Sequence, residues 1–198
     1  MTDVLGGSFE KKPFYVESRR KLLAPAEGRV LEVGAGTGFN LPHYPDGLSE
    51  LVVTDRLDGM LRRARKRAAK VGRQIVTQRV PGESLPYEDD SFDTVVGSLV
   101  LCSVDDQDRV LAEIRRVLRP GGKYLFFEHV RSSDPSLARK QDRYEGLWKT
   151  VCFGCHPNRD TLPRIHAAFE VEDVEHTEFP DGTPKIVRPV VIGRAVKR

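Results

Sequence analysis

Short apolar runs alternate with helical stretches along the first two thirds of the chain, and this alternation limits the fold more than any other feature of the sequence. Apolar and β-branched runs predict five strands, at residues 28–33, 50–55, 74–79, 91–101 and 123–129. Between them, residues 59–71 and 107–118 are typical of helices, and Pro120 and Gly121 are expected to end the second helix. Nearly continuous apolar strands separated by helices predict a parallel sheet covered on both faces.

The two ends of the chain extend this pattern. Residues 13–23 place apolar side chains among charges, which predicts a short surface helix before the first strand. Residues 171–179 and 185–196 predict two more strands, joined by a turn of Pro, Asp and Gly that favours an antiparallel hairpin. The expected fold is therefore α/β: a doubly wound, mostly parallel seven-stranded sheet with a C-terminal antiparallel hairpin, in one domain of residues 1–198.

Residues 131–163 interrupt the alternation of strands and helices. This stretch is polar and rich in turn residues, and it is longer than an ordinary connection. Long segments beside strand ends are commonly functional, because binding residues concentrate on loops held by a rigid scaffold. We expect this insertion to shape the substrate side of a site at the carboxyl ends of the strands.

Composition and charge exclude several classes of protein. The chain has 32 Lys and Arg residues and 29 Asp and Glu residues. The resulting net charge of +3 is too small to indicate a nucleic-acid partner by itself. The basic cluster within residues 62–73 has no interleaved aromatic residue for base stacking, which favours a solvated helix face over an RNA or membrane contact. No apolar run reaches the roughly 18 residues that a membrane span needs. The sequence leaves peripheral contact with a membrane surface as an alternative.

The N-terminal residues and the cysteines bear on location. Residues 1–10 hold no basic start followed by an apolar run, as a secretory signal requires, so we expect a cytoplasmic protein. There the three cysteines, Cys102, Cys152 and Cys155, are expected to be reduced, and they are too few for a disulfide framework.

A glycine loop follows the first predicted strand in the run LEVGAGTG, residues 31–38. The dinucleotide-binding fingerprint requires a third glycine where this chain has Phe39. The glycines instead alternate at Gly34, Gly36 and Gly38, and Glu32 precedes them. A carboxylate here repels a pyrophosphate and attracts a cationic ligand. A tight turn without a ligand is the alternative explanation of the glycines.

This loop resembles the first motif of the class I S-adenosylmethionine-dependent methyltransferases, an acidic residue followed by three alternating glycines. S-adenosylmethionine carries an ammonium and a sulfonium but no phosphate, as Glu32 requires. Asp55 ends the second strand about twenty residues further on, where a carboxylate can accept hydrogen bonds from both ribose hydroxyls. A helix N-cap is the alternative role for Asp55, although Asp58 is equally suited to it.

The resemblance extends to the adenine side. It implies that Met60 packs on adenine and that residues 82–93 meet the ring. Pro81 replaces the commonest aspartate there, so the resemblance assigns adenine to the backbone around Gly82 and Glu83. Residues 118–122, LRPGG, also match the family, but physically they predict a helix stop and turn without chemistry. The complete set of expected cofactor-binding residues is Tyr15, Glu32, Gly34, Ala35, Gly36, Gly38, Asp55, Arg56, Met60, Gly82, Glu83 and Ser98.

A closer resemblance lies in SLVLCSV at residues 98–104 and FFEHV at 126–130, together with Trp148, Gly154, Cys155 and Arg159. These are similar to the small thiol S-methyltransferases of the methyltransferase-like seven group. The resemblance implies methyl transfer to a small-molecule acceptor, with a thiol as the leading choice. Some bacterial relatives are labelled phospholipid or quinone methyltransferases, so O-, C- or N-methylation of a quinone precursor or lipid amine is the alternative. The mammalian relatives begin with a hydrophobic anchor, whereas we expect none in this protein.

His129 is the expected catalytic residue, at the carboxyl end of the fifth strand. A neutral His beside the acceptor can take its proton, because the thiolate is the nucleophile and a thiol has a reference pKa near 8.5. Glu128 is adjacent, but strand side chains alternate and it should point to the opposite face. A histidine held at a strand end without chemistry is the alternative. Cys102 is expected in the core rather than against the acceptor, and Tyr15 either closes over the cofactor or is a surface aromatic.

The run CFGCH, residues 152–156, matches the pattern of c-type haem attachment. Such proteins are exported, and we expect no export signal before this run. One Cys-x-x-Cys pair with a His supplies three zinc ligands at most, so we expect no metal site. The alternative hypothesis from another functional class is a non-catalytic cofactor-binding or redox module that uses Cys152, Cys155 and His156.

Overall fold

The computed structural model of the chain describes residues 12–152 and 154–198. The secretory-signal prediction for residues 1–10 and Phe153 of the CFGCH run lie outside these described residues. The strands are Arg29–Val33 (β1), Glu50–Asp55 (β2), Val76–Arg79 (β3), Phe92–Ser98 (β4), Leu118–His129 (β5), Glu170–Glu178 (β6) and Pro189–Val196 (β7). They form one sheet in the order β3-β2-β1-β4-β5-β7-β6.

The sheet has the expected mixture of strand directions. Strands β1 to β5 pair in parallel, whereas β7 runs antiparallel to both β5 and β6. The seven-stranded, mostly parallel sheet and its C-terminal antiparallel hairpin are thereby confirmed. The carboxyl ends of β1 to β5 share one edge of the sheet, which is where ligands bind in open α/β folds.

Helices cover both faces of the sheet. Their bounds are Pro13–Leu23 (α1), Asp58–Lys70 (α2), Gln107–Val117 (α3), Pro135–Val151 (α4) and Thr161–Ala168 (α5). Helix α3 begins after Asp106, whose side chain accepts a hydrogen bond from the backbone N–H of Arg109 at 3.1 Å. Its apolar face, which includes Ile114, is buried in the core between sheet and helix.

Strand β5 divides its side chains between two cores. Tyr124 and Phe126 belong to the core under α3, whereas Leu125 and Phe127 belong to the core under α1 and α2. This alternation follows from the two-residue period of a strand. It determines which face each residue at the carboxyl end of β5 can reach.

Residues 118–122 confirm one part of a sequence prediction and correct another: the second helix stops here, as expected, but the residues belong to β5 and not to a separate turn. Helix α3 ends at Val117, and Leu118 pairs with Phe92 of β4. The next pair joins Thr94 to Lys123, so the residues between bulge out of the ladder. Arg119 precedes Pro120, and a residue before a proline disfavours helical backbone. Leu118 is fully buried and already extended, so the helix has ended before Pro120 is reached.

Residues 131–163 correct a second prediction. This stretch was expected to be rich in turns, yet it contains the 17-residue helix α4 and the start of α5. Asp134 caps α4 by accepting from the Ser136 N–H at 2.8 Å, with Pro135 at the first helical position. Few side chains of α4 are buried, among them Ala138 and the polar Gln141, so apolar periodicity does not reveal the helix.

Candidate functional site

The glycine loop after β1 lies at the carboxyl edge of the sheet. Gly34 and Gly36 both have positive φ, at +64° and +57°. A Cβ on Gly34 would lie 1.9 Å from Cγ2 of Val100, so the chain passes too close to the residues after β4 for any side chain. A Cβ on Gly36 would meet no described atom within 4 Å and would project into open space.

Two adjoining cavities flank this loop, and we call them together the cleft. The first cavity, of about 270 Å³, is lined by residues that include Arg19, Glu32, Gly36 and Asn40. The second cavity, of about 370 Å³, is lined by residues that include Asp55, Gly82, Val100 and Asp105. Gly34, Met60 and Leu99 line both cavities.

Most of the expected cofactor-binding residues meet at this cleft. Those lining the first cavity are Glu32, Gly34, Ala35, Gly36, Met60 and Ser98. Those lining the second cavity are Gly34, Asp55, Arg56, Met60, Gly82 and Glu83. Gly38 and Tyr15 are not part of either lining.

A buried polar network surrounds Glu32. Its two carboxylate oxygens accept hydrogen bonds from Asn40 Nδ2 and from the Tyr44 hydroxyl, each at 2.8 Å. Burial raises the pKa of Glu32 to about 7, against the opposing effects of the bonds from Tyr44 and Asn40 and of the charge on Arg19. A cation in the first cavity would therefore favour the ionised carboxylate.

Arg19 of α1 is a buried residue of the first cavity that the sequence reasoning missed. Its Nη1 donates to Oδ1 of Asn40, which links it to Glu32 through one amide. Thr37 and Ser98 also line this cavity, and their hydroxyls have no hydrogen-bond partner among the described residues. The lining of this cavity thus contains an acidic residue, a basic residue and two residues with buried, unpaired hydroxyls.

Asp55 does not occupy the helix-capping position that was its alternative role. The N-cap of α2 is Leu57, and Asp58 pairs with Arg62 within the helix. Asp55 instead accepts from the N–H of Gly36 at 3.0 Å and from the N–H of Leu57 at 2.8 Å. These bonds fix the carboxylate at the wall of the second cavity, with further lone pairs available.

The end of β5 places His129 and Glu128 on opposite faces, as strand alternation requires. The ring of His129 packs edge-on against Phe179, with 5.2 Å between centroids, and Phe179 stacks on Tyr15. Burial lowers the pKa of His129 to about 4, opposed by a backbone contact with Val187. Its Nδ1 has no hydrogen-bond partner within the described part of the chain, and the ring does not line the cleft.

The residues of the CFGCH run have separate surroundings. Cys102 is buried in the core, as expected, and its thiol contacts that of Cys155, which raises the pKa of Cys102 and lowers the pKa of Cys155. His156 pairs with Glu145. Among residues 12–152 and 154–198, no group of three or more His, Cys, Asp or Glu side chains is arranged to hold a metal ion.

The helices give no sign of a membrane span. None of those in the described ranges combines the length and the apolar composition that crossing a bilayer needs. The basic helix α2 is mostly exposed, and Arg67 lies over the ring of Phe39, 4.2 Å from its centroid. Phe39 in turn lines the first cavity.

Comparison with known proteins adds to this geometry. Residues 31–126 match the family described as a methyltransferase domain. The chain is 37% identical over 196 residues to the thiol S-methyltransferase TMT1B of Homo sapiens, covering 95% of this chain and 79% of that protein. It is 32% identical over 157 residues to a phosphatidylethanolamine N-methyltransferase of Cereibacter sphaeroides, covering 78% and 75% respectively.

Solved structures share the fold. An S-adenosylmethionine-dependent methyltransferase from Mesorhizobium loti superposes with a TM-score of 0.69, covering 95% of this chain and 99% of that one, at 22% identity. At this identity the match concerns the arrangement of strands and helices.

Proposed function

The chain belongs to the class I S-adenosylmethionine-dependent methyltransferases, and from this premise we propose that it transfers the methyl group to the sulfur of a small thiol. The main support for a thiol is the 37% identity to a thiol S-methyltransferase over most of both chains. The main structural support for a cofactor site is the cleft itself. The acidic Glu32 and the basic Arg19 line its first cavity, and the carboxylate of Asp55 lines its second.

The charges and the open space of this cleft support a site for the cofactor. We propose that Glu32 holds its ammonium and Arg19 its carboxylate, because both line the first cavity with opposite charges. The open space in front of Gly36 leaves room for the methionine chain. Asp55 is suited to the ribose hydroxyls, with Met60, Gly82 and Glu83 around the adenine. When bound, S-adenosylmethionine supplies an electrophilic methyl group on a sulfonium.

The acceptor's proton goes to His129 in this proposal. Burial keeps the pKa of the ring at about 4, so the ring is neutral at physiological pH and a lone pair is available. Such a ring is a weak base, but a positive sulfonium nearby favours the thiolate over the thiol. The lone pair of the acceptor sulfur would form the new S–C bond while the bond from the methyl group to the sulfonium breaks and its electron pair stays on the cofactor's sulfur. The S–H proton would pass to His129, and the ring would return it to water after transfer.

Residues 131–163 are proposed to form the acceptor side of the same domain. Their last part touches the residues after β4, since His156 donates its N–H to the carbonyl of Cys102 at 2.8 Å. Phe179 packs against His129 and stacks on Tyr15, so we expect this stacked pair to border the acceptor. We also propose a cytoplasmic location, which the three free cysteines support.

A lipid amine or quinone precursor is the second candidate acceptor. The relative named phosphatidylethanolamine N-methyltransferase supports it, and so does helix α4. Tyr144, Leu147 and Val151 are 46%, 67% and 60% exposed, and their spacing places them on one side of the helix near the exposed Arg143. Such a face suits peripheral contact with a lipid surface. The redox-module alternative is set aside, because the chain belongs to an enzyme family.

The acceptor class is tested with a panel of thiols, phenols, amines and lipid amines in vesicles, incubated with methyl-labelled cofactor. The expected result is labelled thioether from alkyl thiols, identified by mass spectrometry. Methylated amine or phenol with no thioether would overturn the thiol proposal and leave the methyltransferase assignment standing. Labelling of vesicle lipid alone would select the second candidate.

A further inference from the structure

The segment that follows β4 forms a wall of the cleft, and we call residues 99–105 the β4 loop. Leu99 lines both cavities, and Val100, Ser103, Val104 and Asp105 line the second. Leu99 has a φ of +57°, a left-handed conformation that a branched side chain rarely adopts. A backbone held in this way persists only where its surroundings determine it strongly.

Glu128 binds the amide side of this loop. Its Oε1 accepts hydrogen bonds from the N–H groups of Val100 and Leu101, both at 2.9 Å, and its Oε2 accepts from Cys102 at 3.4 Å. The carboxylate is fully buried, on the face of β5 opposite His129. Three successive amides gathered on one carboxylate fix the direction of the chain as it leaves β4.

Arg159 binds the carbonyl side of the same loop. Its Nη1 donates to the carbonyls of Leu101 and Val104, at 2.7 and 2.6 Å. Arg159 belongs to the segment between α4 and α5, so this contact joins the proposed acceptor side to the cofactor cleft. A negative and a positive group thus hold one short backbone segment from its two polar sides.

We propose that Glu128 and Arg159 are positioning residues for methyl transfer, which hold the β4 loop from both sides and thereby set the wall of the second cavity. Neither side chain lines the cleft, so both act through the loop. This inference rests on the proposed cofactor site. It assigns Glu128 a role separate from that of His129, although the two are adjacent in the chain.

The first test replaces Glu128 by Gln and Arg159 by Gln and measures binding of S-adenosylhomocysteine by calorimetry at pH 8. Each change is expected to raise Kd by about tenfold to a hundredfold, the range for losing a hydrogen bond to a charged group. The double variant should lose less than the product of the single losses, because both residues act on one segment. In turnover, KM for the cofactor should rise more than kcat falls.

Thr94→Val is the matched control. Thr94 is fully buried at the opposite end of β4, where its hydroxyl bonds to the backbone of Glu27. Its replacement should lower the melting temperature and leave Kd unchanged. Should Glu128→Gln not fold, Arg159→Gln carries the test, since Arg159 is only half-buried.

The pH dependence of the cofactor Kd separates a positioning role of Glu128 from a purely structural one, which would not change it. Burial raises the pKa of Glu128 to about 7, and the groups facing it are Arg159, Tyr124, Cys102 and Cys155. Protonation makes the wild-type side chain neutral like Gln, so the ratio of the Kd of Glu128→Gln to the wild-type Kd should shrink from pH 8 to pH 6. Repeating the ratio with Cys155→Ala in both proteins removes the thiol's contribution.

Three outcomes separate the hypotheses. Unchanged Kd in both Gln variants, with a raised Kd in Asp55→Asn, would overturn the positioning role and leave the cofactor site in place. An equal rise of Kd in Thr94→Val would also overturn it, because general loosening of the fold would then explain the effect. Unchanged Kd in all variants, Asp55→Asn included, would overturn the proposed cofactor site together with this inference.

Discussion

Arg19 and Glu32 face the first cavity with opposite charges, and the side-chain amide of Asn40 lies between them. The side-chain amide of Asn40 accepts a hydrogen bond from Arg19 and donates one to Glu32. It therefore connects the two side chains and also keeps them from pairing directly. A free amino acid end carries an ammonium and a carboxylate on one carbon. The arrangement therefore suits the methionine end of S-adenosylmethionine in a single orientation.

The first prediction follows from the basic half of this pair. Arg19→Gln should weaken binding of S-adenosylhomocysteine by about tenfold to a hundredfold, because a charge-assisted bond to the ligand carboxylate is lost. Arg20→Gln, which changes the exposed neighbour on the same helix, is the control and should have little effect. Calorimetry with a decarboxylated analogue sharpens the test. If Arg19→Gln weakens that analogue equally, Arg19 acts on the fold and does not bind the carboxylate.

The second prediction concerns pH and the acidic half. Burial raises the pKa of Glu32 to about 7, and the ligand ammonium favours the ionised form. Affinity for the cofactor should therefore rise as pH increases through 7, with a slope approaching about tenfold per pH unit on the acid side. Near pH 6.5, titrations in two buffers of different ionisation enthalpy should show proton release. Glu32→Gln should bind more weakly at pH 7.5 and lose most of this slope; an unchanged slope would contradict the assignment.

The fold was largely predictable because its central strands β1, β2 and β4 are buried on both faces. Glu50–Asp55 has the predicted bounds, and the other predicted strands differ mainly at their ends. Strand β4 was predicted to reach residue 101 but ends at Ser98, because Leu99 turns into a left-handed conformation that apolar composition does not encode. Helix α4 was missed, although Asp134 followed by Pro135 is a helix-start signal that the sequence contained.

The cofactor side was predictable where residues are close in sequence. Glu32 and the glycines form one continuous motif, and Asp55 follows at a recognisable distance. Arg19 was not predictable in the same way, because it reaches the first cavity from α1 and bonds to a residue 21 positions away. Asn40 lies within the turn after the glycines, and a polar residue at that point was the available signal. Tertiary contact, which no local pattern encodes, made both residues part of the site.

The third prediction tests Asp55. Asp55→Ala should weaken cofactor binding by about 1 to 3 kcal/mol, the scale of losing hydrogen bonds to a charged acceptor. Because Asp55 also accepts from the N–H of Gly36, the loss has a structural and a ligand-binding part. A 2′-deoxyribose analogue of the product separates them. It should bind the wild type more weakly than the natural product does, and the difference should disappear in the variant; a difference that persists would limit Asp55 to shaping the loop.

The fourth prediction is the sign of a stability change with pH. His129 has a pKa lowered to about 4 by burial, so the unfolded chain binds its proton more readily than the folded one between about pH 4 and the ordinary value near 6.5. This group therefore stabilises the fold above pH 6.5, and the contribution is lost as pH falls towards 4. Glu32 and Glu128, with raised pKa values, act in the opposite direction.

The difference in unfolding free energy between wild type and His129→Asn isolates the contribution of His129, and wild type should lose more stability than the variant on acidification. An equal loss in both proteins would contradict the low pKa.

The last prediction asks whether His129 takes the acceptor's proton. His129→Asn should leave binding of S-adenosylhomocysteine nearly intact, since the ring does not line the cleft, and should lower the methylation rate by about 10² to 10⁴ at neutral pH. Part of the loss should be recovered at alkaline pH, because a thiol ionises without help above its own pKa near 8.5. His166→Asn, which changes an exposed histidine, is the control and should keep the wild-type profile. Initial rates against pH for all three proteins, with melting temperatures, supply the measurement. A purely structural His129 would give lower stability and a rate reduced at every pH, and wild-type rates throughout would show that holding the thiol in line with the methyl group suffices.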